Sequence, residues 1–478
     1  MILKDIVYMG LLSSLNYSDS ALHPYLNTRT LYDIQTGVYV PGTHGGMVLN
    51  GGLSFTNAFI GRPQMYKSTV MFSYVMRCMS YYPRSEILTN DTEDSLKKER
   101  IVNFSPYNNN QEDLYNRSVI KTPVETTAEE FFECVKKIEA EKLAHRDDYL
   151  VKSQMIDPRN SQPLMMMLPT FICYDSWSAM ISGAAQSIYD TKQLGSSDTN
   201  MVYMRDGNVK KMILSQIPTL AARAGIYFVL SAHVGEKYEM NNYAPSPKSL
   251  QYMRASDKPK GVGSDFNFLI SNTVDMRAVK VLHNGEKECQ YPTENGGGME
   301  LNEVISVLCR CKNNMSGTQL SSVVSQSRGI LGDLSNYHYL REQDFFGLIG
   351  SKINHKPAMT DINLTRTTVR NKLQEPHVAR AVELLAQLRY IQRNWMPSTL
   401  VDFSISPQEL ADKLLGSDSP TITDILQSRG YWTYDESNLQ PYLSLFDVVA
   451  IAQGTYRARG ISLSGLNIST VSTDKKKT

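Results

Sequence analysis

The chain has 478 residues, 41% apolar and 20% charged, enough to bury more than one domain-sized core. A net charge of +1 excludes a global basic field, so any nucleic-acid site has to be a local patch. No run approaches the roughly 18 apolar residues of a membrane span, and the first residues hold no signal-peptide core; a cytoplasmic protein with no membrane partner is expected.

Residues 1–30 are mixed and polar and predict an N-terminal arm or cap. Residues 31–60 are punctuated by Gly37, Gly42, Gly45, Gly46, Gly51 and Gly52, the pattern of turns and short strands. Residues 61–350 alternate strand-like apolar runs with helical stretches, which predicts an α/β core around a mostly parallel sheet. Strands are expected at 85–90, 168–174, 226–232, 266–270, 278–282, 304–311 and 320–325. A helical insertion near 100–165 separates the second strand from the third. Within it Glu130, Glu133, Lys136, Lys137, Glu141 and Lys142 lie among Phe131, Phe132 and Val135, the spacing of an amphipathic helix with a solvated charged face.

A smaller helical domain is expected over 358–468. Val378, Ala381, Leu385 and Leu388 mark one apolar helix face, and Ser406-Pro407 and Ser419-Pro420-Thr421 start two short helices. Tyr431-Trp432-Thr433-Tyr434 then reads as a strand, completing the outline of a winged helix-turn-helix. The polar tail 469–478 carries Lys475-Lys476-Lys477 and is expected to be disordered. The six cysteines fall mostly in apolar runs, as buried reduced thiols do, and Cys309-x-Cys311 alone makes a poor metal site.

The motif that carries chemistry is Gly61-Arg62-Pro63-Gln64-Met65-Tyr66-Lys67-Ser68-Thr69, set between the apolar stretch 57–60 and a helical run. Its spacing is that of the phosphate-binding loop G-x-x-x-x-G-K-[ST], with Tyr66 in place of the second glycine. Successive backbone N–H groups at a helix start form an anion nest, so all nine residues are candidates for holding ATP. Lys67 can reach the β- and γ-phosphates, and Ser68 can offer its hydroxyl to Mg²⁺.

Further candidates follow in the order a nucleotide hydrolase needs. Asp91-Thr92-Glu93-Asp94 closes the second strand, and Glu93 is the carboxylate placed to polarise the attacking water. The buried run 169–174 ends at Asp175, which pairs with Ser68 as a Mg²⁺ ligand. His233 directly follows the apolar run 226–232, where a polar group can feel the γ-phosphate. The long basic stretch 235–263 contains Lys248, Arg254, Lys258 and Lys260 and is expected to grip DNA. Lys210 and Lys211 form a second candidate DNA contact, for which a plain helix is the competing reading. Arg310 and Lys312 share a face at a strand end, either to reach a neighbouring subunit's nucleotide or as a solvated pair.

With these residues in place, residues 31–350 resemble the RecA-like recombinases, most closely their phage, UvsX-like branch. The resemblance rests on 61–69, Asp91-Thr92-Glu93, 171–176, Ala232-His233 and Lys312-Asn313. That branch places a bulky aromatic where the second loop glycine usually stands, so Tyr66 is similar to a family variant. The resemblance implies Glu93 as catalytic glutamate and His233 as γ-phosphate sensor heading a DNA loop. It implies Lys312 as the first of two trans-acting lysines, with Asn314 at the second position. It further implies a DNA-dependent ATPase that polymerises on single-stranded DNA. Such a filament pairs the strand with duplex DNA for strand exchange in phage recombination, repair and replication, assisted by a single-strand-binding or mediator protein. The chain also resembles the hexameric DnaB-like replicative helicases in Gly61-Arg62-Pro63 and in Lys312-Asn313-Asn314 with Ser316-Gly317, while Asp91-Thr92-Glu93-Asp94 is recombinase-like. Intact Lys67, Ser68, Glu93 and Asp175 argue against an inactive DNA-coating protein.

Overall fold

The computed structural model describes residues 21–122, 126–191, 199–236, 250–263, 265–293, 300–313, 315–394, 398, 400–417 and 420–457. Its strands in chain order are β1 (Val38–Pro41), β2 (Met47–Asn50), β3 (Thr56–Gly61), β4 (Glu86–Asp91), β5 (Ser118–Lys121), β6 (Leu150–Ile156), β7 (Pro163–Met167), β8 (Thr170–Asp175), β9 (Ile226–Glu236), β10 (Asp257–Pro259), β11 (Asn272–Val281), β12 (Leu301–Cys311), β13 (Gln319–Ser325), β14 (Gly329–Ile330), β15 (Leu348–Gly350) and β16 (His355–Pro357).

One large sheet has the spatial order β14-β13-β12-β11-β3-β9-β8-β4-β5, with β10 attached to β9. The six strands from β11 to β5 are mutually parallel. β12, β13 and β14 extend the sheet with antiparallel pairings. The central strands are continuous apolar runs because both faces are covered. Alternate side chains divide between two cores, as the two-residue period requires. Phe59, Phe171, Cys173, Tyr227 and Val229 pack with Val70, Met71 and Phe72 of the Lys67–Tyr81 helix. Ala58, Ile60, Ile172, Tyr174, Phe228 and Leu230 pack with Phe131 and Phe132 of the Ala128–Ala144 helix and with Ile213, Leu214 and Ile217 of the Thr199–Ala224 helix.

The structure departs from the sequence expectations at several places. Residues 266–270 form no strand; Phe266–Leu269 is a helical turn closed by Ile270 N–H donating to the Phe266 carbonyl. A short apolar run fits either state, and here it turns the chain from β10 into β11. Residues 431–434 form no strand either, so the wing is missing. Trp432 is fully buried, its backbone N–H donates to Asn27 Oδ1 (3.1 Å), Thr433 Oγ1 donates to the Tyr81 carbonyl (2.7 Å), and Tyr434 Oη donates to the Pro83 carbonyl (2.8 Å). These backbone and hydroxyl groups bond to the core where a wing strand would bond to its neighbour. The flanking helices Pro407–Leu415 and Ile422–Gln427 do start at Ser406 and Thr421 caps. Apolar residues from 378 to 451 belong to the same cluster as β3 and the Lys67–Tyr81 helix, so packing runs across the compositional change near 358.

Residues 21–30 are part of the body and not a loose arm, since Leu26 bridges Leu53 and Asn27 and Thr28 are buried. In the insertion, the Ala128–Ala144 helix starts with a Thr127/Glu130 capping box. Lys142 is absent from its solvated face. It is 3% exposed, and Nζ donates to the Leu168 carbonyl (2.5 Å) and Thr170 Oγ1 (3.1 Å). Burial pushes its pKa down to about 7. Lys248, Asn314 and the tail 469–478 lie outside the described residues.

Candidate nucleotide-binding site

β3 ends at Gly61, where a Cβ would come within 3.0 Å of Met276 Cβ. The loop then turns sharply. Gln64 (φ 61°) and Tyr66 (φ 60°, ψ 22°) are both left-handed, and the helix begins at Lys67. Position 66 therefore takes the conformation that makes glycine the usual residue in such loops. The tyrosine is anchored in it: Asn302 Nδ2 of β12 donates to Tyr66 Oη at 2.9 Å, and the ring packs at the edge of the core. β12 lies on one side of β3 and the strand carrying Asp175 on the other, so the ring is tethered on the side away from Asp175.

Strand register puts the remaining groups on two successive levels of one sheet face. Gly61 pairs with His233, and Asp91 pairs with Asp175. Tyr174 pairs with Leu230, which sets Ser231 beside Asp175. After β3 the chain moves to one side of it, into β4, and after β9 it moves to the other, into β11. The carboxyl ends at such a reversal form the ligand crevice of a parallel sheet.

Among these groups Asp175 is buried, and its Oδ1 accepts from Ser68 Oγ (2.9 Å) and Ser231 Oγ (2.5 Å). Burial raises the Asp175 pKa; the two hydroxyls oppose that shift, while Glu93 and Asp91 add to it. Lys67 Nζ donates to the Arg62 carbonyl at 3.1 Å. Desolvation lowers its pKa, and Asp175 and Glu93 pull it back. Glu93 Oε1 and His233 Nε2 are hydrogen-bonded at 2.9 Å, a link from β4 across β8 to β9. Asp91 is a structural group: its carboxylate accepts from the backbone N–H of Glu93 (3.2 Å), Ser95 (2.8 Å) and Leu96 (2.7 Å) and so shapes the loop that presents Glu93. Thr92 fastens β4 to β8, its Oγ1 accepting from Ser176 N–H at 2.7 Å.

The donor set fits a magnesium triphosphate. A buried carboxylate and a hydroxyl in contact are hard oxygen donors, and Mg²⁺ commonly takes only one or two protein ligands beside phosphate oxygens. Among the described residues no group of three or more His, Cys, Asp or Glu could hold a metal by itself, so Cys309 and Cys311 form no such centre. Pro63 and Gln64 are exposed at the loop's tip, Met65 packs against the core edge, and Thr69 is buried. Arg62 leaves the cup, its guanidinium pairing with Asp257 Oδ1 (2.9 Å) and Glu236 Oε1 (3.5 Å).

The expected DNA-facing cations fall into different environments. Arg254, Lys258 and Lys260 are exposed, and Lys258 lies on β10 opposite Gly235. Lys260 N–H donates to the His233 carbonyl (2.7 Å), and its side chain lies over Gly235, where a Cβ would come within 1.7 Å of Lys260 Cε. Lys211 is exposed and pairs with Asp265 at 3.1 Å. Lys210 corrects the expectation: it is 5% exposed and ion-paired with Asp206 (2.9 Å), so its charge is spent inside the fold. Lys312 follows β12 at the end of the sheet marked by Asn272 and Asn57, the edge opposite the cup. Arg310 is tied within the chain, donating to the Ile270 (3.0 Å) and Phe268 (3.1 Å) carbonyls.

Sequence reasoning missed Ser231 and Asp257, which act through strand pairing or a distant partner that no local motif marks, and gave Thr92 no role although it lies in the Asp91-Thr92-Glu93 motif. Among the described residues no helix is long and apolar enough to cross a membrane.

No protein-family model and no curated protein matches the chain. Among solved structures it is similar to a crystal structure titled for the RadB recombinase, at 14% identity and TM-score 0.31, over 59% of this chain and 92% of that one.

Proposed function

We propose that the chain is a Mg²⁺-dependent ATPase with a RecA-like core, working as a DNA recombinase. One observation carries the reading: Lys67, Ser68, Asp175, Glu93 and His233 arrive from four strand ends at one edge of the sheet. The loop N–H groups and Lys67 bind the phosphates. Ser68 and Asp175 would hold Mg²⁺, which supplies positive charge to the phosphate oxygens when bound. Glu93 is the general base for the attacking water, kept in place by its bond to His233.

The DNA step follows from what lies next to the cup. His233 and Arg62 both connect to the β9–β10 hairpin, through the Lys260 N–H bond and the Asp257 ion pair. Arg254, Lys258 and Lys260 on and beside that hairpin make phosphate contacts to single-stranded and duplex DNA, an affinity that falls with salt. Lys312, one residue past Cys311, sits five strand residues from the level of Gly61, roughly 17 Å. It therefore serves a neighbouring subunit's nucleotide in a homo-oligomer. Tyr66 supports placement in the phage, UvsX-like branch, acting in a host cytoplasm with single-strand-binding or mediator partners.

The test is electron microscopy of the protein with single-stranded DNA and a slowly hydrolysed ATP analogue. A helical filament is expected. A closed six-fold ring would replace the recombinase by the helicase reading, and absence of nucleotide-dependent assembly would remove both.

A further inference from the structure

Far from the nucleotide cup, a cavity of about 300 Å³ lies between the β1–β2 turn, β6 and the C-terminal segment, with His44, Lys152, Gln154, Arg429, Tyr434 and Tyr442 on its walls. Tyr434 bonds to Pro83, just ahead of β4, which places the cavity by the amino-terminal ends of the parallel strands. Arg429 decides its chemistry. The residue is 6% exposed, Nε donates to the Gln440 carbonyl (2.8 Å), and Nη1 has no hydrogen-bond partner. Among the described residues Arg429 belongs to no ion pair, whereas His44 in the same wall is matched by Asp447 at 3.0 Å. Burial pushes the Arg429 pKa below its ordinary value despite the phenols and Asp435 nearby. Gln154 Oε1 is a second buried atom with no partner, an acceptor facing an unused donor's cavity.

A buried guanidinium with an unused donor is costly, Asp435 in the same wall offsets that only in part, and an oxyanion seated in the adjoining space removes the remainder. The remaining walls narrow the ligand. Asp435 and Glu436 also line the cavity, which disfavours a polyanion such as a nucleoside triphosphate and suits a single negative charge. Tyr434, Leu439, Pro441 and Tyr442 give it an apolar side, and Gln154 can accept from an N–H or O–H group.

We propose that this cavity binds a compact carboxylate carrying an adjacent N–H or O–H donor and an apolar body, with Arg429 forking the carboxylate and Gln154 accepting from the donor. An N-acylated amino acid and the last residue of a polypeptide share that chemistry. The site is independent of the ATPase reading.

Isothermal calorimetry on the full chain tests it, with N-acetylleucine, its neutral carboxamide, inorganic phosphate and a hexapeptide ending in leucine. N-acetylleucine is expected to bind at millimolar concentration or tighter. The carboxamide should bind at least tenfold more weakly, since a charge-assisted bond to a guanidinium is worth about 1.5–3 kcal/mol. Arg429→Gln should abolish binding of the acid. Gln154→Leu, at a partly exposed position, should weaken the acid and the carboxamide by a similar several-fold factor, because both carry the acyl N–H. Tighter binding of the hexapeptide than of N-acetylleucine assigns a chain end as occupant, and equal or weaker binding assigns a free acid. Equal affinity for acid and carboxamide, no binding of any carboxylate, or phosphate binding alone would overturn the proposal.

Discussion

Replacing Tyr66 separates the shape of the phosphate loop from the chemistry of its side chain. A non-glycine residue in the left-handed region costs roughly 1–2 kcal/mol, and Tyr66 bears that cost at φ 60°. Offsetting it are the bond from Asn302, about 1 kcal/mol, and the packing of a half-buried ring, about 1 kcal/mol. Tyr66→Ala keeps the backbone strain and loses both contacts, a loss of about 2 kcal/mol. Tyr66→Gly loses the same contacts and relieves the strain, leaving about 1 kcal/mol of net loss once extra chain entropy is counted. Glycine should thus be the less damaging substitution, the reverse of the ordinary helical ranking, in which alanine is favoured by about 1 kcal/mol. Urea unfolding of the two variants reads the order, and fluorescent ATP-analogue binding to Tyr66→Gly should stay close to wild type. Asn302→Ala should cost little further in the Tyr66→Gly background, because its partner has gone. An alanine variant as stable as the glycine variant would refute a left-handed position 66 and with it the preformed cup.

Lys67→Ala should abolish ATP turnover; a phosphate-release assay showing normal rates would take the loop out of the mechanism. Glu93→Gln should bind the ATP analogue normally while hydrolysis falls by about 10²-fold or more, the range of general-base loss, and a variant that still turns over would transfer the base role elsewhere. Lys258→Ala with Lys260→Ala should reduce the log–log salt slope of single-stranded DNA binding by about 0.7 for each lost phosphate contact, measured by fluorescence anisotropy, and an unmoved slope would place the hairpin off the DNA. Lys142 predicts a pH effect. Between about 7 and its ordinary 10.5 the unfolded chain holds a proton that the folded chain has released, so stability rises with pH through that window. Lys142→Met should flatten the rise in melting temperature between neutral and mildly alkaline pH; an unchanged profile would show Lys142 to be solvated.

What the sequence revealed about the site was local. Gly61, Glu93 and Asp175 stand at or just past strand ends, Lys67 and Ser68 open a helix, and His233 follows an apolar run inside β9, so spacing alone marks them. Their assembly depended on register and was not legible, which is why Ser231 and the Glu93–His233 bond appear only in the folded chain. The helix at Phe266–Leu269 and the plug at 431–434 were misread as strands for one physical reason. Aromatic and apolar runs of four or five residues satisfy either periodicity, and tertiary bonding to Asn27, Tyr81 and Pro83 decided the second case. Lys142 and Lys210 were read as solvated or DNA-facing charges, because charge spacing on a helix does not tell which member turns inward.

The level shared by Ser231, Asp175 and Asp91, with Gly61 and His233 two residues further on, sets what kinds of change this chain can absorb. Segments spliced between strands, such as the one holding the Ala128–Ala144 helix, leave this register intact. Deleting one residue inside β9 is different, because the two-residue pleat would turn His233 to the far face and carry every residue after the gap with it. Length variation among descendants of this sequence should therefore gather in the connections and avoid the interiors of β3, β4, β8 and β9.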